Sequence, residues 1–335
     1  VDIADEWLLA DSAWWGSGRW FGRCALRLHQ GVPAGSGPVA PEAVPAGARI
    51  RKLDGFVLPG LRDAHVHCGL VDLRSVRAGG IAEVHDLGSA PGALEAHLPA
   101  DDPALPRMQV VGAFLTAPRG YPSDRSWADA GSFREVRSPL DAAAAVGEQQ
   151  QVGARAIKVA LNSAAGPVLP ASVLAAIVTA AHDAGLGVIA HVEGEGMTRF
   201  ACDNGIERLA HTPWTERVDD RLLADVAQGM SWVSTLDIHG FGADTPQLRT
   251  ATDNLRRFVE HGGVVHYGTD LGNGPLPLGV NPREVNALLA VGLTPEDVLT
   301  AMTDVRSPCP PCWVPGALDL TPARFADSLS RVQVA

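Results

Sequence analysis

Six side chains able to hold or activate a cation recur at the ends or in the middle of apolar segments. His65 and His67 lie in Asp63-Ala64-His65-Val66-His67, and Lys158 in Ala156-Ile157-Lys158-Val159-Ala160. His191 follows Ala190, His211 follows Ala210, and Asp270 closes Gly268-Thr269-Asp270. Side chains alternate along a β-strand, so His65 and His67 project from one face. Two imidazoles side by side on a strand offer a two-point grip on a divalent cation. A lone histidine at a strand end is usually a hydrogen-bonded rim residue. Two on one face, two more at later strand ends and a strand-end carboxylate together read as a metal site. Lys158 is of another kind. An ammonium inside a protein costs several kcal/mol unless it is paired or neutralised. An ion pair with Asp270 or Asp63 is the plain structural solution.

These residues need a scaffold that brings distant segments to one rim. Apolar runs at 57–67, 81–87, 109–115, 156–161, 187–192, 208–211, 231–236 and 264–269 read as strands. Helical stretches separate them. Ser138-Pro139 reads as an N-cap followed by proline in the first turn, and Gly185 as the left-handed cap after 170–184. Asp219 opens a helix ending at Gly229. Thr294-Pro295-Glu296-Asp297 opens another, and Leu255, Phe258 and Val259 form one apolar face before Gly262. Strand and helix alternating over 57–304 match the length of a (β/α)8 barrel, about 250 residues. A doubly wound sheet would favour a glycine-rich phosphate loop after its first strand, whereas here Cys68-Gly69-Leu70 follows. In such barrels the chemistry sits at the C-terminal ends of the strands, where the histidines and Asp270 fall. Residues 1–56 carry Trp7, Trp14, Trp15 and Trp20 and short alternating runs such as 23–28. They read as a small β unit with a Gly/Pro/Ala-rich connector over 31–47.

Composition narrows the function. The chain has 335 residues, 46% of them hydrophobic, and a formal net charge of -11. With no basic run, nucleic-acid binding is disfavoured. No apolar stretch approaches the ~20 residues of a membrane helix. Five cysteines do not form a disulfide framework, so a reducing cytoplasm is the expected location, and no secretory leader is visible. Cys309-Pro310-Pro311-Cys312 reads as a rigid loop after a helix, not as a redox motif. Cys68 is turned away from the histidines by alternation. His85 and Asp86 end the second strand and are candidate supports. Asp63 would brace the histidines from beneath, and His266 would face the barrel interior below them.

Leu58-Pro59-Gly60-Leu61-Arg62-Asp63-Ala64-His65-Val66-His67 resembles the signature of the metal-dependent amidohydrolase superfamily. The ordered set His65, His67, Lys158, His191, His211, Asp270 is similar to its binuclear pattern. The surroundings of Lys158 and His211 look most like the imidazolonepropionase-like and Xaa-dipeptidase-like branch. The resemblance covers 57 to about 304. It implies a small β-sandwich domain made from residues 1–56 and a C-terminal segment, 305–335, that returns to it. It implies two divalent metal ions, Zn2+ by default, with Mn2+, Fe2+ or Co2+ as alternatives. His65, His67 and Asp270 would bind one metal and His191 and His211 the other. Lys158, carboxylated by CO2, would bridge both, which also removes its positive charge. A metal-bridging hydroxide would attack a carbonyl, with Asp270 shuttling the proton.

Arg119, Tyr121 and His239 are candidates to stabilise the oxyanion, and Arg119 could instead grip a substrate carboxylate. Trp214 could wall the pocket. A dipeptide, an N-acyl amino acid or a cyclic amide is the expected small-molecule substrate, and the superfamily implies a homo-oligomer. Other readings stay open. A mononuclear deaminase of the same superfamily would place a glutamate three residues after His191, whereas Glu193 and Glu195 fall on either side of that position. A lactone or phosphotriester hydrolase would keep the same metal site. A catalytically dead metal-binding protein would be expected to have lost some of the ligands.

Overall fold

The computed structural model describes residues 5–90, 92, 102–128 and 130–335. The chain opens with β1 (Glu6–Trp14), β2 (Trp20–Phe21), β3 (Cys24–His29), β4 (Val32–Pro33) and β5 (Arg49–Leu58). Alternation sets their faces: in β3, Leu26 and Leu28 are buried while Arg27 and His29 face out. β1 pairs antiparallel with β3, Leu8 opposite Leu26, and parallel with β5. Leu8, Leu26, Leu28, Leu53 and Trp15 form a separate small core.

The larger unit contains β6 (Arg62–Val66), β7 (Glu83–Asp86), β8 (Arg107–Val110), β9 (Phe114–Thr116), β10 (Phe133–Glu135), β11 (Ala156–Asn162), β12 (Gly187–Glu193), β13 (Arg208–Leu209), β14 (Ser231–Val233) and β15 (Val264–His266). One sheet runs β6-β7-β8 and the other β10-β9-β11-β12-β13-β14-β15, with parallel pairing throughout. Backbone bonds join the two sheets at both margins. Arg155 N–H donates to Val110 O, and Ala64 N–H, Leu271 N–H and His67 N–H bond to Tyr267 O, His65 O and Leu271 O. Helices cover the outside, so the strands read as near-continuous apolar runs rather than alternating ones. β11 is buried at every position after Ala156. The result is a mixed α/β fold with its main core between strands and helices.

Helix caps follow local chemistry. Asp219 accepts from Leu222 N–H, and Thr294 and Asp297 form a reciprocal capping box. Ser138 occupies its N-cap position without a side-chain bond. Gly185 adopts φ +71° after the helix Ala171–Asp183.

Two expected strands are divided. The run 57–67 breaks between β5 and β6 at Pro59-Gly60, where a Cβ on Gly60 would lie 2.4 Å from Cys309 Sγ. The run 109–115 breaks between β8 and β9 at Gly112, whose φ is +74°. There the Gln149 side-chain oxygen accepts Ala113 N–H at 2.8 Å, in place of a neighbouring strand.

β16 (Cys312–Pro315) and β17 (Gln333–Val334) extend the first sheet, giving the order β17-β16-β5-β1-β3-β4. The described strands of this unit are linked in one continuous mixed sheet. Residues 322–329 between them are helical, with Phe325 buried. Among the described residues no helix is long and apolar enough to cross a membrane.

Candidate metal centre

β6 delivers His65, with His67 directly after its last residue, β11 delivers Lys158 and β12 His191. The turns after β13 and β15 deliver His211 and Asp270. The register sets Lys158 opposite Ile189 and Ala160 opposite His191, so the functional side chains gather at the C-terminal ends. The ring centroids of His65 lie 5.2 Å from His67 and 4.6 Å from His211, and His191 lies 5.1 Å from His211. Asp270 Oδ1 stands 3.0 Å from His65 Nε2 and 3.1 Å from His67 Nε2. These three side chains have ligand atoms within 4.8 Å of one another.

Their second atoms decide what the first can do. His65 Nδ1 lies 2.9 Å from Ala210 O, and His67 Nδ1 lies 2.9 Å from Gly88 O. A carbonyl can only accept, so each Nδ1 carries a proton, and in the neutral ring each Nε2 presents a lone pair. His65 Nε2 therefore faces Asp270 Oδ1 as acceptor against acceptor, whereas burial opposes charge on His67 but Asp270 and Asp86 outweigh it and raise the ring above its ordinary value. His65 Nε2 and Asp270 Oδ1 are buried and have no hydrogen-bond partner. Burial holds His65 and His211 well below the ordinary imidazole range. Burial opposes ionisation of Asp270, yet the surrounding imidazoles, His65 first, hold its carboxyl well below the usual range. Asn273 Nδ2 donates to Asp270 Oδ2 at 2.9 Å and leaves Oδ1 for the histidines. This donor set fits a divalent cation. Asp270 itself has φ +57° and Thr235, whose hydroxyl meets His211 Nδ1 at 3.0 Å, has φ +41°. Strained backbone of this kind collects at functional sites.

Lys158 is 1% exposed. No ion pair with Asp270 or Asp63 forms within 4.0 Å, so the plain structural solution is absent. Its Nζ sits 5.6 Å from the Phe114 ring centroid. Burial brings the ammonium down to about 7, with Asp270 and Asp86 opposing. Asp63 is engaged elsewhere. It accepts from His65 N–H, Thr269 N–H and the Thr269 hydroxyl, tying β6 to the turn after β15. Asp86 likewise accepts from Cys68 N–H, Gly88 N–H and Ser89 Oγ.

A cavity of 380 Å³ lies over these groups. Tyr121 stacks on His191 at 4.9 Å, and Trp214 packs 4.8 Å from His239. Burial keeps the Tyr121 hydroxyl protonated and lowers His239 to about 4. His239 Nε2 is buried without a hydrogen-bond partner. Tyr121, His239 and Trp214 thus line the cavity. Arg119 does not. It is exposed, and its backbone N–H is held by Glu135 Oε1 at 2.8 Å. Its φ of +61° turns the chain at the loop tip. Phe114 and Asn273 are among the wall residues that sequence reading missed, and Trp127 of the loop 116–136 stands in the same wall. Glu193 also lines the cavity, 3.4 Å from His191 Nε2 and bound by Asn162 Nδ2 at 2.6 Å. Its place two residues after His191 on one strand was the available signal.

Other singled-out residues are structural or lie elsewhere. Cys309 and Cys312 are buried thiols, pushed up by burial to about 11 and about 12. Burial, and then the charges of Arg208, Arg62 and His85, bring His266 down to about 2.

No family model matches the chain. An uncharacterized protein of Mycobacterium tuberculosis is 28% identical over 280 residues, covering 74% of this chain and 72% of that protein. A Xaa-Pro dipeptidase with bound methionine superposes with a TM-score of 0.78 at 18% identity, covering 98% of this chain and 97% of that one. The A. niger ochratoxinase gives 0.79 at 16% identity, covering 98% and 93%. The chain therefore shares its fold with these two structures over nearly its whole length.

Proposed function

We propose that the chain is a binuclear metal-dependent hydrolase on a (β/α)8 barrel, cleaving an amide-type C–N bond in a dipeptide, an N-acyl amino acid or a cyclic amide. The observation that carries this reading is the meeting of His65 Nε2 and His67 Nε2 on one oxygen, Asp270 Oδ1, with His65 Nε2 and Asp270 Oδ1 both buried and without a hydrogen-bond partner. His65, His67 and Asp270 would hold one cation and His191 and His211 the second. Lys158 as its carbamate would serve both. A neutral amine is the form that adds CO2, and a value of about 7 makes that form abundant near neutrality. Bound cations would polarise the scissile carbonyl and bring the pKa of a water close to neutrality.

The chain supplies the rest. Asp270, oriented by Asn273, accepts the proton of the attacking water and returns it to the leaving nitrogen. Tyr121 and His239 are placed to donate to the developing oxyanion. Phe114, Trp127 and Trp214 give the cavity aromatic walls suited to an apolar acyl or side-chain group. The names of the dipeptidase and ochratoxinase that share the fold are compatible with this chemistry.

The test is reconstitution with Zn2+ or Mn2+ in bicarbonate, elemental analysis, and a screen of N-acyl amino acids, dipeptides and cyclic amides. Two metals per chain and chelator-sensitive release of an amine are expected. Ammonia released from a nucleobase with one metal bound would instead assign Glu193 the proton-transfer role of a deaminase. Failure to bind any metal would overturn both readings.

A further inference from the structure

A second cavity, of 420 Å³, lies at the opposite end of the strands. It is lined where the strands begin: Arg62 opens β6, Arg155 precedes β11, Arg208 opens β13 and Ser231 opens β14. Leu87, Val111 and Ile189 form its apolar floor, and together with Ala210 they make a distinct cluster of buried side chains. Ile189 and His191 are two residues apart on β12. The first lines the lower cavity and the second the upper one.

Charge is unbalanced here. Among the described residues, Arg62, Arg155 and Arg208 form no ion pair. Arg62 Nε is buried with no hydrogen-bond partner, and Arg208 Nε reaches only Ser231 Oγ, at 3.2 Å. The carboxylates on the wall are committed elsewhere. Glu207 takes His182 Nε2 and Val188 N–H, both at 2.7 Å, and Asp304 takes the Arg306 side chain at 3.3 Å. Glu83, bonded to His85, is held by Arg107. Burial, and next the charge of Arg62, bring Arg208 down to about 10. Glu207 offsets part of this charge on Arg208 without forming an ion pair, and two half-buried guanidinium groups close enough to repel, with no ion-pair partner among the described residues, are costly unless an anion joins them.

We propose that this lower cavity binds a small doubly charged oxyanion, a phosphate group, through Arg62 and Arg208 with Arg155 at the rim. A dianion balances both unpaired guanidinium groups, where a single carboxylate would leave one uncompensated. The planar fork of arginine suits phosphate oxygens. Ser231 Oγ and the Gln109 amide supply neutral donors on the same wall. The cavity volume lies in the range of small-molecule pockets, ~300–1,000 Å³, and its apolar floor leaves room for an ester group. The site is independent of the metal-centre reading.

The test is calorimetric titration of the metal-loaded and the chelated protein with inorganic phosphate and with glycerol 3-phosphate at constant ionic strength. Saturable binding is expected in both preparations, weakened at least tenfold by Arg62→Gln and by Arg208→Gln. Removing an unpaired charge should leave the fold intact, which an unchanged melting temperature without phosphate would verify. Tighter binding of the ester would identify a phosphate monoester as the ligand class, and equal or tighter binding of inorganic phosphate would identify the free ion. Absence of saturable binding, or binding that both variants retain, would overturn the proposal. Binding present only with metal and indifferent to both variants would place the anion at the upper site and overturn it equally.

Discussion

Replacing Lys158 by methionine separates a metal-bridging lysine from a structural one. Lys158 is enclosed, with no ion pair, and burial brings its amine from an ordinary 10.5 down to about 7. In the unfolded chain the amine is protonated up to pH 10.5, but in the fold only up to about 7. Folding therefore carries a penalty that is full below pH 7, shrinks as pH rises, and vanishes above pH 10.5. At pH 8 it amounts to about 3 kcal/mol, taking ~1.36 kcal/mol per pH unit. Methionine has nearly the same length and no charge to desolvate. Chelated Lys158→Met should therefore be more stable than the chelated parent by ~1–3 kcal/mol at pH 8, with the gap closing towards pH 10.5. Urea denaturation of both chelated proteins at pH 7, 8 and 10 measures this. The same variant should bind fewer metal ions and lose turnover, and bicarbonate should not restore either. A variant less stable than the parent at pH 8, or one that keeps both metals and full activity, would refute the reasoning.

Asp270→Asn should lower kcat by ~10²–10⁴-fold and reduce the metal content, as read by steady-state assay and elemental analysis. Chelation should lower the melting temperature, because a ligand at a hundredfold excess over its Kd stabilises by ~2.7 kcal/mol; scanning calorimetry with and without added Zn2+ checks this. Burial pushes Glu83 up, but hydrogen bonds from His85, Ser307 and Arg107 outweigh it and bring the carboxyl to about 2. Its stabilisation is thus complete above its ordinary 4.5 and is lost as pH falls towards 2, so Glu83→Gln should cost ~1–3 kcal/mol at pH 7, with the gap closing in acid denaturation below pH 4.5. Gly60→Ala should destabilise by ~1–3 kcal/mol, since the new methyl would sit 2.4 Å from Cys309 Sγ and 2.5 Å from Pro310 O; thermal unfolding reads this directly.

The metal-type residues were legible because their signal is local. The histidines and Asp270 stand where apolar runs end, and a parallel sheet carries all such ends to one side. Period-two alternation put His65 and His67 on one face, and both reach Asp270 Oδ1. The same logic applied to Glu193 would have placed it beside His191. Arg119 was misjudged because a charged loop residue carries no periodic signal. Its orientation is set by φ +61° and by the Glu135 contact, neither visible in residue types. Phe114 and Asn273 were missed for a related reason. A wall residue is defined by which loop folds over the strand ends, and that is a tertiary property. The strand breaks at Gly60 and Gly112 are also tertiary, created by Cys309 in one case and by the Gln149 side chain in the other.

The alternative to a cation between His65, His67 and Asp270 is protonation, and the surroundings make it an incomplete one. An imidazolium at His65 could donate from Nδ1 to Ala210 O and from Nε2 to Asp270, satisfying every atom. Burial opposes that charge and holds His65 well below the ordinary range. His67 differs: burial opposes its charge too, but the carboxylates of Asp270 and Asp86 outweigh it and raise the ring above its ordinary value. A proton on His67 would meet Asp270 and still leave His65 Nε2 facing the same carboxylate oxygen 3.0 Å away as a bare lone pair. A divalent cation satisfies all three atoms at once, because it needs several lone pairs and carries no directional hydrogen. The neighbouring residues also keep the acceptors fixed. Ala210 O and Gly88 O hold the two rings by Nδ1, and Asn273 holds the far oxygen of Asp270. Each of these second contacts takes up the atom that could otherwise have turned inward to relieve the repulsion, so the centre is built to keep its lone pairs converging.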